Sequence, residues 1–127
     1  MIRSVIIDDE KKSRDVLKSL LENHCQNVEI IAEADGVKAG VETINKLKPD
    51  VIFLDIQMPD GSGFKLLEKI DKIDFDVIFT TAFDQYAIRA IKYSALDYLL
   101  KPISPDDLII AVEKVRKRKL DKKENQN

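Results

Sequence analysis

The sequence predicts an α/β fold, a doubly wound parallel sheet of five strands with five helices covering its two faces. Two observations carry that prediction. Short apolar runs alternate five times with amphipathic segments along 127 residues, which is the signature of βαβ units. The runs are also almost continuously apolar, as strands are when helices cover both faces of a sheet.

Val5 to Ile7 forms the first run, and after it Val16, Leu17, Leu20 and Leu21 share one helical face. Val28 to Ala34 is the second run, followed by a stripe of Val37, Val41, Ile44 and Leu47. Pro49-Asp50 ends that helix and opens the third run, Val51 to Leu54. A loop with Gly61 and Gly63 leads to a third stripe, Leu66, Leu67, Ile70 and Ile73, with Gly63 letting the chain turn into its helix. The fourth run is Val77 to Phe79, its stripe Ala87, Ile88, Ile91 and Ala95. The fifth run, Tyr98 to Leu100, precedes Ser104-Pro105-Asp106-Asp107, which reads as an N-cap with Pro at the first helical position. Leu108, Val112 and Val115 then form the last stripe. One domain over residues 1–119 is expected. The segment 120–127 is expected to be a disordered basic tail or the start of a linker, because the apolar stripe has ended.

Composition narrows the function classes. Hydrophobic content of 44% beside 35% charged residues describes a folded chain and not a disordered one. No apolar stretch approaches the roughly 18–20 residues that cross a bilayer. The opening "MIRSVIIDDE" meets acids too early for a signal peptide. The single cysteine, Cys25, excludes an internal disulfide and suits a reducing cytoplasm. From Lys114 onward seven basic residues face two acidic ones, against a net charge of -2 for the whole chain. Such a tail reads first as a solvated helix end or linker, and secondarily as a nucleic-acid contact.

The chemistry-bearing residues stand just after the apolar runs. In an open parallel sheet, sites form at the carboxyl ends of the strands where strand order reverses. Asp8, Asp9 and Glu10 follow the first run, Asp55 the third, Thr80 and Thr81 the fourth, and Lys101-Pro102 the fifth. Three ionised aspartates brought close together repel one another strongly. A hard divalent cation relieves that repulsion, and oxygen ligands fit Mg²⁺. Lys101 adds a fixed positive charge, and Thr81 can donate a hydrogen bond. Cation, ammonium and hydroxyl together suit the oxygens of a phosphoryl group. Asp55, a carboxylate on a strand tip, is then a candidate nucleophile forming an acyl phosphate.

These motifs resemble the receiver domain of two-component response regulators. The matching features are "DDE", "DIQMPDGSG" around Asp55, "TA" at Thr81-Ala82 and "KP" at Lys101-Pro102, in order and in register up to about Lys119. The segment "FTTAFDQYAIRAIKYSALDYLLKPI" is similar to receivers fused to LytTR-type DNA-binding domains, the LytR/AlgR-like subfamily. The resemblance implies a flavodoxin-like sheet with strand order 2-1-3-4-5. It implies that Asp55 accepts phosphate from a sensor histidine kinase, self-catalysed, in a chain that is not otherwise an enzyme. Asp8, Asp9 and Asp55 would hold Mg²⁺ with the Gln57 backbone carbonyl, and Lys101, joined to Pro102 by a cis bond, would contact the phosphoryl group. Thr81 would be the switch hydroxyl and Tyr98 the aromatic that changes rotamer. Phosphorylation would drive homodimerisation through the face formed by the fourth helix, fifth strand and fifth helix. DNA would be reached only through an output domain outside this sequence, and no membrane is involved. Ser62 departs from the acid common at its position.

Plainer readings stand beside these. Asp8 and Asp9 could cap the first helix, Lys101 could be a surface lysine, and Thr80 reads as structural. Tyr98 reads equally as a half-buried strand aromatic. Glu10 adds negative charge beside the site. His24 and Cys25 have no second His or Cys to complete a metal site, and Gly61 and Gly63 form no nucleotide-binding fingerprint. Two other functions fit the same sheet: a receiver-like module that only binds, and a Mg²⁺-dependent phosphohydrolase. The second is opposed by Gln57, which stands where such enzymes carry a further acid.

Overall fold

The computed structural model describes residues 1–125. The apolar runs become strands β1 (Ile2–Ile7), β2 (Val28–Ala34), β3 (Val51–Leu54), β4 (Asp76–Thr81) and β5 (Asp97–Leu100). All pair in parallel in the order β2-β1-β3-β4-β5. The order reverses between β1 and β3, so the chain leaves a crevice above their carboxyl ends. Helices α1 (Lys11–His24), α2 (Val37–Leu47), α3 (Gly63–Glu68), α4 (Ala87–Lys92) and α5 (Pro105–Asn125) connect and cover the strands. A two-residue antiparallel ribbon, Gln57–Met58 against Gly61–Ser62, shapes the loop after β3.

The period-2 alternation of the strands divides the core in two. Ile6, Phe53 and Ile78 pack with Leu17 and Leu21 of α1 and Leu108, Ala111, Val112 and Val115 of α5. Val5, Ile7, Ile52, Leu54, Val77 and Phe79 pack with Val37 and Ile44 of α2, Phe64, Leu66 and Leu67 of α3, and Ala90 of α4. Each fully buried side chain of this size contributes about 1.5–3 kcal/mol relative to exposure. The helix N-terminus at Ser104-Pro105 stands as expected, with α5 beginning at Pro105.

Several expectations need correcting. The fourth stripe does not face inward: Ile88 is 78% and Ile91 73% exposed, while Ala90 is buried and Tyr86 and Tyr93 pack on the core. The rings of Phe64 and Tyr93 pack 5.0 Å apart, so of Ile88, Ile91 and Tyr93, which the sequence leaves open between core and exposed contact, only Tyr93 joins the core. Helix α4 stops at Lys92, short of Ala95. Helix α3 stops at Glu68, so Ile73 lies beyond it and is exposed. Val16 also faces solvent. Strand β2 is an edge with exposed Glu29 and Glu33, not a strand covered on both faces.

Residues 120–125 form an exposed helix end, which fits the solvated-helix reading of the tail and not the disordered one. No break occurs at Leu120, and α5 runs on to Asn125. Ionic contacts replace the lost apolar stripe: Arg118 Nε meets Asp76 Oδ1 at 2.7 Å, and Lys119 Nζ meets Asp50 Oδ2 at 2.9 Å. Lys119 also donates to the Met1 carbonyl at 2.6 Å, and Lys122 to the Asp74 carbonyl at 3.4 Å. The last two positions of the expected tail, 126–127, lie outside the described residues.

Candidate functional site

The site forms because β1 and β3 end side by side. Asp55 N–H donates to the Ile7 carbonyl at 2.9 Å, and Asp8 N–H to the Ala34 carbonyl at 3.0 Å, so the sheet ladder itself carries both aspartates to its rim. Asp8, Asp9 and Asp55 each offer a carboxylate oxygen within 4.8 Å of the others. Asp8 is 3% and Asp55 6% exposed, and Asp9 is the most open of the three. Gly63 is needed here for proximity: a Cβ on it would lie 2.5 Å from the Asp55 carbonyl oxygen. The special backbone angle of this loop belongs instead to Gly61, at φ +142°, which corrects the turning role expected of Gly63.

Lys101 is the cation among these acids. Its Nζ lies 2.7 Å from Asp8 Oδ2 and 3.2 Å from Asp55 Oδ2. The Lys101-Pro102 bond is cis, as the resemblance implies. Burial pulls the Lys101 ammonium toward a lower pKa. The hydrogen bond to Asp8 and the charges of Asp55 and Asp8 outweigh it and raise the pKa. For Asp55, burial is the largest influence and raises its pKa; Lys101 opposes and Asp8 reinforces that rise. The remaining Asp55 oxygen, Oδ1, accepts from the Ile56 N–H at 2.7 Å.

Thr81 is fully buried, and its carbonyl accepts from Lys101 N–H at 2.8 Å, which ties the ends of β4 and β5 together. Its hydroxyl accepts from Phe83 N–H at 3.4 Å and is turned to the loop after β4. Thr80 is also buried. Tyr98 is half-buried, its ring 6.1 Å from that of Phe79, and its hydroxyl donates to the Phe83 carbonyl. Burial raises the Tyr98 pKa. Tyr98 is thus a packed strand aromatic whose hydroxyl holds the Phe83 carbonyl in the loop after β4. Gln57 is exposed, and its Nε2 donates to the Tyr86 hydroxyl at 3.1 Å. Glu10 is exposed at the rim. Ser62 caps α3, its Oγ accepting from Lys65 N–H at 3.1 Å, which gives the departure at that position a structural reason.

Two residues escaped the sequence reading. Ser13, in the first turn of α1, accepts from Lys101 Nζ at 3.3 Å. Asp60 accepts from the N–H groups of Val37 and Lys38 at 2.8 and 3.1 Å, capping α2 from a loop 23 residues away in sequence. Asp60 lies in a Pro-Asp-Gly turn that reads locally as nothing more than a turn, and Ser13 carried no signal in its spacing. Chemically, the cluster sets three carboxylates against one ammonium. Its hard oxygen donors and surplus negative charge fit Mg²⁺ and not a soft metal.

Comparison with known proteins agrees with this geometry. The family described as the response regulator receiver domain matches residues 5–113. The sensory transduction protein LytT of Bacillus anthracis is 42% identical over 121 residues, covering 94% of this chain and 49% of that protein. The transcriptional regulatory protein BtsR of Escherichia coli K12 is 39% identical over 120 residues, covering 94% of this chain and 50% of its own length. This chain therefore spans about half the length of the curated relatives it matches. Among solved structures, the response regulatory domain of mrkE from Klebsiella pneumoniae superposes with a TM-score of 0.83 at 28% identity, covering 92% of this chain and 97% of that one. TrrA from Thermotoga maritima, solved in complex with Mg(2+)-BeF, has a TM-score of 0.79 at 29% identity, covering 91% of this chain and 99% of its own. With its flavodoxin-like sheet, its rim of acids and a family match over most of its length, the chain belongs to the receiver domains of two-component response regulators.

Proposed function

We propose that this receiver takes a phosphoryl group onto Asp55 from the phosphohistidine of a sensor histidine kinase, and that its own residues catalyse the transfer. The observation that carries the reading is the Lys101 ammonium lying between Asp8 and Asp55 with Asp9 beside them, a site whose negative charge exceeds the positive charge at hand. Asp8, Asp9, Asp55 and the Gln57 backbone carbonyl would hold Mg²⁺. Bound there, Mg²⁺ would offset charge on the phosphoryl oxygens and on the acids. The TrrA complex with Mg(2+)-BeF supports this by likeness.

An Asp55 carboxylate oxygen attacks phosphorus in line, the P–N bond of the phosphohistidine breaks, and the imidazole leaves and takes up a proton. Lys101 is held charged by its surroundings and faces the incoming negative oxygens. The Thr81 hydroxyl turns from Phe83 N–H to donate to a phosphoryl oxygen, which loosens the loop that Tyr98 grips. Water slowly hydrolyses the acyl phosphate and resets the domain. The chain acts on itself and does not turn over a separate substrate.

The output follows from the relatives' descriptions as sensory transduction and transcriptional regulatory proteins. We assign it to a DNA-binding continuation after α5, in a cytoplasmic protein, with phosphorylation pairing two receivers through α4, β5 and α5. The exposed Ile88, Ile91 and Leu100 on that face support the pairing. The test is intact mass after incubation with acetyl phosphate. One added phosphate in the parent, dependent on Mg²⁺ and lost in Asp55→Asn, is the expected result. Equal labelling of Asp55→Asn would refute the assignment.

A further inference from the structure

An ammonium group has three N–H donors, and Lys101 has three acceptors around it: Asp8 Oδ2 at 2.7 Å, Asp55 Oδ2 at 3.2 Å and Ser13 Oγ at 3.3 Å. The first two belong to the acids of the site. The third comes from α1.

The three acceptors fare differently when the site is in use. Asp8 shares its charge with a cation once it becomes a ligand, and its hold on Lys101 weakens. Asp55 spends a carboxylate oxygen on the bond to phosphorus. Ser13 is touched by neither event. It is neutral, so it does not compete for the cation, and its hydroxyl can accept from the ammonium while donating elsewhere. Ser13 sits three positions after Glu10, the N-cap of α1, which makes no side-chain cap bond. It is half-buried, so the bond is partly shielded from water.

We propose that Ser13 is a positioning residue for Lys101. Its hydroxyl is the acceptor that keeps the ammonium aimed into the crevice after Asp8 and Asp55 have been claimed by cation and phosphoryl group. This inference rests on the phosphoacceptor reading for its purpose, while its geometry stands independently. In the resting protein the bond is long and adds little, because two charged acceptors outbid it. Its effect emerges in the loaded site.

The test uses the same chain saturated with Mg²⁺, with no phosphodonor, observed by ¹⁵N-edited NMR of lysine ammonium groups. The parent should show a protected Lys101 ammonium signal, assigned by its loss in Lys101→Arg. Ser13→Ala should lose the signal while its backbone amide spectrum stays that of a folded domain, and Ser13→Thr, which keeps the hydroxyl, should restore it. At saturating Mg²⁺ the rate of phosphorylation by acetyl phosphate should fall about fivefold in Ser13→Ala, the scale of one net hydrogen bond, and recover in Ser13→Thr. A Ser13→Ala protein that keeps both the protected signal and the parental rate would overturn the proposal. If the parent takes no phosphate, the phosphoacceptor reading fails by itself, and the ammonium signal still decides for or against Ser13.

Discussion

The two ends of the sheet carry opposite electrostatic designs. At the amino ends of the strands, Asp50 and Asp76 each face a cation from α5, Lys119 at 2.9 Å and Arg118 at 2.7 Å. At the carboxyl ends, Asp8 and Asp55 share Lys101, and Asp9 lies beside them. The pKa directions follow. Burial pushes the Asp50 carboxyl up, but the Arg3 N–H and the Lys119 ammonium outweigh it and hold the group below its ordinary range. Burial raises Asp55 and its neighbours do not reverse the rise. Matched charge fastens a helix to the sheet. Unmatched charge costs stability in the resting protein and is retained where a ligand of opposite sign completes it.

That contrast can be broken from either end. The largest effect is expected at the carboxyl pole: Lys101→Ala removes the cation that contacts both Asp8 and Asp55 and should slow phosphorylation by acetyl phosphate about a hundredfold, measured by intact mass against time. Next, Arg118→Ala strands Asp76, which is 7% exposed, without its cation. Because the arginine is itself half exposed, the expected loss is about 1–2 kcal/mol by urea unfolding, toward the lower range for broken pairs. Hydrogen exchange should quicken in the last turns of α5 and not in β1 or β3.

Acid should act on the two poles with opposite signs. Asp50, with its lowered pKa, contributes stability that is present above the ordinary carboxylate range and is lost as pH falls through its folded value. Asp50→Asn should therefore be less stable than the parent near neutral pH, by about 1 kcal/mol, and the gap should close on acidification. Asp55, with its raised pKa, favours the folded state below the ordinary range, and that contribution disappears as pH rises through its folded value. Asp55→Asn should be more stable than the parent near neutral pH, by about 1 kcal/mol, and this gap too should close in acid. Denaturant midpoints of the three proteins across pH check both signs. The smallest effect belongs to α4: Ile88→Lys should change monomer stability by less than about 0.5 kcal/mol while weakening any phosphorylation-dependent dimer in analytical ultracentrifugation.

How much of this was legible in the sequence follows from which interactions are local. Val28–Ala34 and Val51–Leu54 became strands with the bounds their apolar runs set, and acids placed directly after such runs had to reach the sheet rim. The start of α5 at Pro105 was readable because proline at the first helical position is a local signal. Helix α4 stayed undecided because apolar spacing says that a face is covered and not by what. Ile88 and Ile91 match the helical period, yet the rings of Phe64, Tyr86 and Tyr93 already fill the space beneath. The fastening of α5 was hidden because Arg118 and Lys119 find their partners 42 and 69 residues away. Ser13 and Asp60 act through single hydrogen bonds or caps across loops, for which no periodicity exists.

The account turns on the claim that the acid surplus at the carboxyl pole is a working site and the acids at the amino pole are structural. Calorimetric titration of Mg²⁺ into the parent, Asp8→Asn and Asp50→Asn addresses it most directly. One site in the parent, weakened tenfold or more in Asp8→Asn and unchanged in Asp50→Asn, is the predicted result. Binding that survives Asp8→Asn undiminished, or that disappears in Asp50→Asn, would contradict it.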